Sequence, residues 1–473
     1  MSSAQALHIA AMAVMVLAWS CFLVVLARNL VSGVQLAVAA WVFWTRIEPA
    51  PRAIDLWSRS VDLAPPISVI APAYNEELSI TQSVRALLAL EYPEHEIIVV
   101  NDGSKDATLA TLIRDFELEP SDRPQIAALQ RTKILGVYRS RVHRNLLVVD
   151  KENGRKADAV NMGIGFARTP LVCVIDADSI IETDGLLRAA EPFMTDDGSL
   201  LAVGGAIRIV NGCEVRGGSL RKIGIPREWI ARFQVIEYFR AFLTARVANA
   251  HFNSLLLISG AFGLFRRSAL VEIGGYRHDT VGEDLELVVR LHRYSLERNI
   301  PYRIGFVPEI VCWTEAPVSM LGLKNQRSRW QQGALETLEA HRGILFNPRY
   351  GRIGMLATPQ MLVEDVIGPP AEVIGYLVVP AAWALGLLSG QMALAFLALT
   401  VAFGTGLSIA TLALEEAQLR RTPSAADLLK IAAAALLENF GFRQANLVFR
   451  LVGIKRHLKR ETGWSAVPRT GFS

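Results

Sequence analysis

Residues 8–26 (HIAAMAVMVLAWSCFLVVL) form an uncharged run, close to the roughly 20 apolar residues that a bilayer core requires of a helix. They predict a membrane-crossing helix. A signal peptide is disfavoured, because no basic stretch precedes the run and no convincing small-residue cleavage site follows it. A shorter apolar run, 30–44, ends in paired aromatics before Arg46 and suits either a second span or an interfacial helix. From residue 67 to about 311 the pattern changes to short apolar strands, each followed by a polar loop and a segment of helical period, which predicts an α/β domain. The clear strands are ISVIA (67–71), EIIVV (96–100), LLVVD (146–150) and LVCVID (171–176). Two further uncharged runs, 371–389 and 392–414, predict a transmembrane hairpin. The stretch 354–367 carries Glu364 and Asp365 and is followed by Pro369 and Pro370, so an amphipathic surface helix is expected there. Residues 428–451, with Glu438, Arg443 and Arg450, read the same way. The expected organisation is a membrane segment (1–45), an α/β domain (46–350), membrane and interfacial helices (351–454) and a tail (455–473).

Composition adds little beyond the membrane. With 51% hydrophobic residues the chain is greasy for a soluble domain, and a net charge of +4 over 473 residues is no basic footprint for nucleic acid. Arg46, Arg52, Arg59, Arg420, Arg421, Lys455, Arg456, Lys459 and Arg460 flank the apolar runs, and the positive-inside rule puts the α/β domain in the cytoplasm. The four cysteines are scattered without zinc-ligand spacing or an evident disulfide framework.

Candidate chemistry lies where strands end. The first runs into Pro72-Ala73-Tyr74-Asn75-Glu76 and the second into Asn101-Asp102-Gly103-Ser104, at the carboxyl edge where open α/β sheets bind ligands. An Asp there can accept from a base N–H or a ribose hydroxyl, although such residues also make ordinary turns. Asp176-Ala177-Asp178 ends an apolar strand with two carboxylates suited to Mg²⁺ or Mn²⁺ shared with a diphosphate, or to a simple Asx turn. GRKADAVN (154–161) opens a predicted helix, and its Lys156 is either a phosphate contact or a solvated helix-start lysine. TVGED (280–284) opens another, where a carboxylate is a candidate general base or a favourable helix-dipole partner. Gln326, Arg329 and Trp330 share one helical face at i, i+3 and i+4, presenting donors, a cation and an aromatic plate. An Arg-Trp pair also anchors helices at membrane interfaces. No GxGxxG follows the first strand, which argues against hydride chemistry on a dinucleotide.

In this order and combination the motifs between residues 66 and 333 resemble those of the processive family-2 glycosyltransferases, which include cellulose, hyaluronan and poly-N-acetylglucosamine synthases. The resemblance implies a GT-A fold and an inverting transfer from a UDP-sugar to a β-linked polysaccharide, with Mg²⁺ or Mn²⁺ as cofactor. Carried over motif by motif, it implies that Ala73, Tyr74, Glu76 and Asp102 hold uridine and that Lys156 approaches the diphosphate. Asp176 and Asp178 would engage nucleotide and metal, and Asp284 would be the base, with Glu283 beside it among the substrate-binding residues. Gln326, Arg329 and Trp330 would meet acceptor and pyrophosphate. Gly282-Glu283-Asp284 stands where the family has Thr-Glu-Asp, a departure that keeps the aspartate. Thr462-Gly463-Trp464 faintly resembles a gating loop closing over the nucleotide, which would make Trp464 a substrate contact.

The expected partners are a UDP-sugar, a polysaccharide or glycolipid acceptor and the bilayer of a plasma membrane, with no nucleic acid. A narrow helical bundle also leaves room for an export partner protein or a homo-oligomer. Two other functions fit the same pattern: a single-addition transferase on a lipid-linked acceptor, and a catalytically silent scaffold. The occupied positions Asp102, Asp176, Asp178, Asp284, Arg329 and Trp330 speak against the second.

Overall fold

The computed structural model describes residues 3–45, 57, 61–176, 179–419 and 424–461. Its strands are β1 (Ile67–Ala73), β2 (His95–Asp102), β3 (Leu118–Pro120), β4 (Ile134–Ser140), β5 (Leu146–Lys151), β6 (Leu171–Ile175), β7 (Ile180–Ile181), β8 (Leu200–Ile209), β9 (Glu214–Arg216), β10 (Ser219–Lys222), β11 (Phe262–Arg266) and β12 (Arg303–Thr314). Among the described residues β9 and β10 make a separate hairpin, and the others form one sheet in the order β3-β4-β5-β2-β1-β6-β11-β8-β12-β7. The four strands predicted from apolar runs are its centre, β5-β2-β1-β6, and all their pairings are parallel. Their runs are continuous because both faces are covered. Val69, Ile97, Val99 and Cys173 face one core, and Ile70, Ile98, Val100 and Val174 the other.

Register puts the chemistry in a row. Ala73 pairs with Asn101 and Asn101 with Asp150, so three strands end level. β11 then joins β6 antiparallel, Phe262 opposite Ile175, so that the residues just before β11 lie beside those just after β6. This reversal puts the start of a glycine-rich stretch, SGAFGLFRRSALVEIGGY (259–276), next to Asp176.

The N-terminal helix Ser3–Thr45 is unbroken over 43 residues, about 65 Å at 1.5 Å per residue, whereas a bilayer core is about 30 Å thick. The run 30–44 is therefore neither a second span nor a separate interfacial helix; it continues the first helix. Its upper part packs Ala18 and Val25 against Val379, Ala382 and Phe396, and its lower part packs Ala39, Val42 and Phe43 against Ile236, Phe239 and Leu243 of the sheet domain. By length and composition, His8–Thr45, Ile353–Ala384 and Gly390–Gln418 are candidate membrane-crossing helices.

The surface helix expected at 354–367 belongs instead to the second of these. The chain stays helical across Pro369 and Pro370, because they sit at the start of the helix Gly368–Ala384, where a missing N–H is tolerated. Widened π-turns precede and interrupt these helices at Leu362–Ile367 and Ala398–Ala402. Carbonyls in these turns are met by side chains: Asn29 Nδ2 donates to Leu399 O (2.6 Å), Arg443 Nη1 to Thr400 O (2.9 Å) and Arg450 Nη2 to Glu364 O (3.1 Å). Residues 428–451 fall in two helices, Ala425–Leu437 and Phe442–Leu458, broken at Gly441 (φ 95°).

Glu372 is fully buried between Arg28 of the first helix and Arg443 of the last, each at 2.7 Å. Removing one carboxylate strands two cations, and breaking such a buried arrangement costs about 3–5 kcal/mol. Glu372→Ala is thus expected to lower the melting midpoint markedly in detergent, read by size-exclusion after thermal challenge. An unchanged midpoint would mean that the arginines are adequately solvated without it.

Candidate active site

The first two strand-end loops are laced together before any ligand arrives. Asn75 adopts φ 57° and its backbone N donates to Ser104 Oγ at 3.0 Å, while its Oδ1 accepts from Lys105 N at 2.8 Å. Glu76 N donates to Thr108 Oγ1 (2.8 Å) and the Glu76 carboxylate accepts from Ser79 Oγ (2.6 Å). Ala73 is buried at the end of β1, and Tyr74 stands 43% exposed at the mouth. Asp102 is buried: Oδ1 accepts from Lys151 and from Gly154 N, and Oδ2 from Asn153 Nδ2 at 3.2 Å. Because a carboxylate oxygen accepts about two hydrogen bonds, one acceptor position remains on Oδ2. Lys151, itself fully buried, also pairs with Asp158 at 2.8 Å, so this lysine is the internal counter-ion of the loop.

At the centre, Lys156 in the first turn of the helix Arg155–Phe166 reaches Asp176 Oδ1 at 2.5 Å and Glu283 Oε1 at 3.7 Å. Burial works against the Lys156 charge, but the carboxylates of Asp176 and Glu283 outweigh it and hold its pKa above the ordinary lysine value. Burial pushes Glu283 up, with Asp284 adding and Lys156 and Arg329 opposing. Asp284 opens the helix Glu283–Glu297, and its Oδ2 accepts from Gly260 N at 3.1 Å. A Cβ on Gly260 would lie 2.8 Å from Lys156 Nζ, 3.6 Å from Asp284 Oδ2 and 3.9 Å from Asp176 Oδ2. The bare backbone at Gly260 is thus the floor of a space lined by one cation and two carboxylates. Asp178 lies outside the described residues, as does Trp464.

Among the described residues no group of three or more His, Cys, Asp or Glu side chains could enclose a metal. The remaining donor set is a partly exposed carboxylate at a strand end, with Asp178 two residues on. That fits a hard cation held by one or two carboxylates, with substrate phosphates and water completing its shell, and does not fit an all-protein cage.

Gln326, Arg329 and Trp330 lie on the helix Met320–Ala340. Trp330 is 44% exposed with the Arg327 guanidinium 4.4 Å from its ring centre, and Arg327 is held by Glu237 at 2.5 Å. The Gln326 Oε1 atom is buried without a hydrogen-bond partner among the described residues. The next three residues, Gln331-Gln332-Gly333, have no role in the sequence pattern and form a junction in the structure. Gln331 Nε2 donates to Asp365 O in a membrane-helix π-turn, and Gln332 Nε2 donates to Glu461 O (2.8 Å) and to Glu336 Oε1 (2.9 Å). Gly333 meets Gly282 backbone to backbone: a Cβ on either would stand 2.7–2.8 Å from the other's Cα. Glu336 Oε2 accepts from Thr280 Oγ1 and Val281 N, both at 2.9 Å, completing the clasp on the loop before Asp284.

Asn161 is another residue to which the sequence pattern gives no role. Its amide exchanges hydrogen bonds with Tyr276 N (2.7 Å) and O (2.8 Å), tying the Lys156 helix to the loop leading to Asp284. The glycine-rich stretch 259–276 is the sequence signal for both Gly260 and this contact.

The family model described as glycosyltransferase like family 2 matches residues 65–333, more than half of the chain. A poly-β-1,6-N-acetyl-D-glucosamine synthase from Staphylococcus epidermidis is 32% identical over 273 residues, 58% of this chain and 55% of that protein. One from Staphylococcus aureus is 31% identical over 280 residues, 59% and 57% respectively. The chain spans about half the length of these curated relatives. Among solved structures, a mannosyltransferase from Pyrobaculum calidifontis in complex with GDP-Man and Mn²⁺ superposes with a TM-score of 0.52 at 17% identity, over 93% of this chain and 99% of that one. That likeness concerns fold alone; with the family model it makes the sheet domain GT-A.

The glycine contact and the Glu283 carboxyl each set a stability. Gly333→Ala forces a methyl into backbone and is expected to cost about 1–3 kcal/mol in thermal unfolding, whereas Gly343→Ala, with nothing within 4 Å of its Cβ, is the neutral control. For Glu283, whose folded pKa is raised, the stability linked to its protonation is fully present below the ordinary glutamate value and is lost as pH rises through the folded one. Glu283→Gln should therefore melt higher than the native chain at neutral pH and no higher near pH 4; an equal gain at both would refute the linkage.

Proposed function

The chain belongs to the glycosyltransferase like family 2, and on that premise we propose that it is a membrane-embedded inverting hexosyltransferase that extends a β-linked exopolysaccharide from a UDP-sugar. The observation that carries the reading is the convergence of Lys156, Asp176 and Asp284 over the bare backbone of Gly260. It offers a cation for a leaving diphosphate and a carboxylate for an incoming hydroxyl around one glycine.

In this reading Ala73, Tyr74, Glu76 and the open Oδ2 position of Asp102 take the uridine. Asp176 and Asp178 would hold Mg²⁺ or Mn²⁺, which would supply positive charge against the departing nucleoside diphosphate. Asp284 accepts the proton of an acceptor hydroxyl as its oxygen forms the new bond at the anomeric carbon, and the bond from that carbon to the diphosphate breaks on the other side. An α-linked donor so gives a β-linked product. Lys156 faces the departing diphosphate, and Glu283 keeps Lys156 charged and oriented. Trp330 supports the acceptor ring, Arg329 approaches the pyrophosphate and the unpartnered Oε1 of Gln326 accepts from a hydroxyl. Trp464 would close over the nucleotide; Glu461, the last described residue before it, is held by Gln332 beside this helix, which supports that placement.

The similarity to poly-β-1,6-N-acetyl-D-glucosamine synthases makes UDP-N-acetylglucosamine the first donor to test. Cytoplasmic orientation is supported by Lys455, Arg456, Lys459 and Arg460 at the end of a helix lying along the Trp330 helix. Polymer export with a partner protein or a second copy of the chain belongs to the same reading.

Nucleotide release by the purified chain in detergent, across UDP-sugars with Mg²⁺ or Mn²⁺, tests it. One donor should turn over, chelation should abolish turnover and readdition restore it, and Asp284→Asn should lower the rate at least about 100-fold. A chain ending at Glu461 should bind UDP more weakly. Absence of turnover with every donor would sink the enzyme reading, and full activity of Asp284→Asn would sink the assigned base.

A further inference from the structure

The segment between the β9–β10 hairpin and β11 contains no motif, yet it runs from the membrane helix to the base. It comprises the helix Trp229–Phe239, a π-turn at Arg240–Ala245 and the helix Arg246–His251. The extra residue per turn of a π-segment re-aims the side chains beyond it, and Arg246 is the first of these. Its guanidinium carbon lies 3.7 Å from the centre of the Phe242 ring. Phe242 shares a core cluster with Ala261, the neighbour of the Gly260 that holds Asp284. On the other side the segment packs on the Ser3–Thr45 helix, with Gln35 Nε2 donating to Asn249 Oδ1 (3.3 Å) and the Trp41 and His251 rings 5.2 Å apart. Arg246 therefore lies in a segment packed on the Ser3–Thr45 helix, with Asp284 near enough to act on its charge.

Its pairing differs from that of its neighbours. Arg208, Arg240, Arg327, Arg443 and Arg450 each have a carboxylate partner. Arg246 has no such partner among the described residues, and its Nη1 is buried without a hydrogen-bond acceptor. Burial pushes its pKa down to about 10, with Tyr238 and Asp284 acting in the opposite direction, so it stays charged at neutral pH. A withdrawn N–H with nothing to donate to is costly, and native structures leave few of them. Here the stack on Phe242 holds the cation ready.

We propose that Arg246 is an acceptor-binding residue, whose Nη1 donates to a ring-substituent oxygen, hydroxyl or amide carbonyl, of the acceptor saccharide on the membrane side of Asp284. This rests on the transferase reading above. The oxygen satisfies the stranded donor, and the planar guanidinium fixes the sugar's orientation while Trp330 supports its ring.

The test uses the full chain in detergent, with the donor found by the nucleotide-release screen and short β-linked oligosaccharides of the same sugar added as acceptor. For Arg246→Gln the acceptor KM should rise about tenfold or more, the loss expected for one charge-assisted hydrogen bond, with UDP affinity and melting midpoint unchanged. Arg246→Lys, which keeps the charge without the fork, should fall between, and it serves as the readout if Arg246→Gln fails to fold. An unchanged acceptor KM in an active variant, or a loss of UDP affinity equal to the loss of acceptor affinity, would overturn the assignment while leaving the transferase reading intact. A native chain that turns over no donor would remove both.

Discussion

The contact between Gly282 and Gly333 fixes the distance between the two helices that carry the site. With no side chain on either, the start of the Asp284 helix lies against the Trp330 helix at backbone separation, and neither backbone can yield without moving its helix. Asp284, Arg329 and Trp330 are thereby referred to one rigid junction, and Glu336 locks the intervening loop by accepting from Thr280 and Val281. The glycine that departs from the family's Thr-Glu-Asp pattern is therefore structurally specific, since a threonine Cβ would stand in the backbone of the opposing helix. A group that must act within hydrogen-bond reach of a substrate gains from such pre-organisation.

The same junction joins the candidate site to the candidate membrane helices. Gln331 bonds a carbonyl in the π-turn Leu362–Ile367, and Arg450 bridges Gln331 Oε1 (2.7 Å) and Asp365 (2.5 Å). Arg327, stacked on Trp330, reaches Glu237, which Asn446 of the last helix also contacts at 3.3 Å. Nearby, Arg208 meets Glu415, and Arg240 meets Glu438. Buried ion pairs are weak sources of net stability but expensive to break, so their accumulation here favours one seating of the domain over sliding alternatives. The bonds available from widened helical turns give this seating its geometry.

Inside the site, charge is held against its own preference. Burial raises the pKa of Glu283 while the carboxylates keep Lys156 protonated, and non-glycine residues sit at positive φ at Asn75, after β1, and at Arg155, the start of the Lys156 helix. Such local costs are carried by the two fully packed faces of the central sheet. Gln326 Oε1 and Arg246 Nη1 add to these costs, as buried polar atoms without a hydrogen-bond partner among the described residues.

By itself the sequence determined the parts. Continuous apolar runs predicted β1, β2, β5 and β6, because strands buried on both faces need no alternation. Strand-end loops marked where ligands would lie, and spacing on one helix gathered Gln326, Arg329 and Trp330. Uncharged runs marked membrane helices, although 30–44 and 354–367 prove to be parts of longer helices rather than separate elements. Helical continuity depends there on what covers each face: the sheet domain receives Ala39, Val42 and Phe43, and side-chain donors satisfy carbonyls in the π-turns. Only tertiary structure decided which residues share a point in space. Antiparallel insertion of β11 brings Gly260 to Asp176, Asn161 ties two distant segments, and a π-turn aims Arg246. The first two depend on register and on backbone approach between segments some 80 to 120 residues apart, which local pattern does not encode.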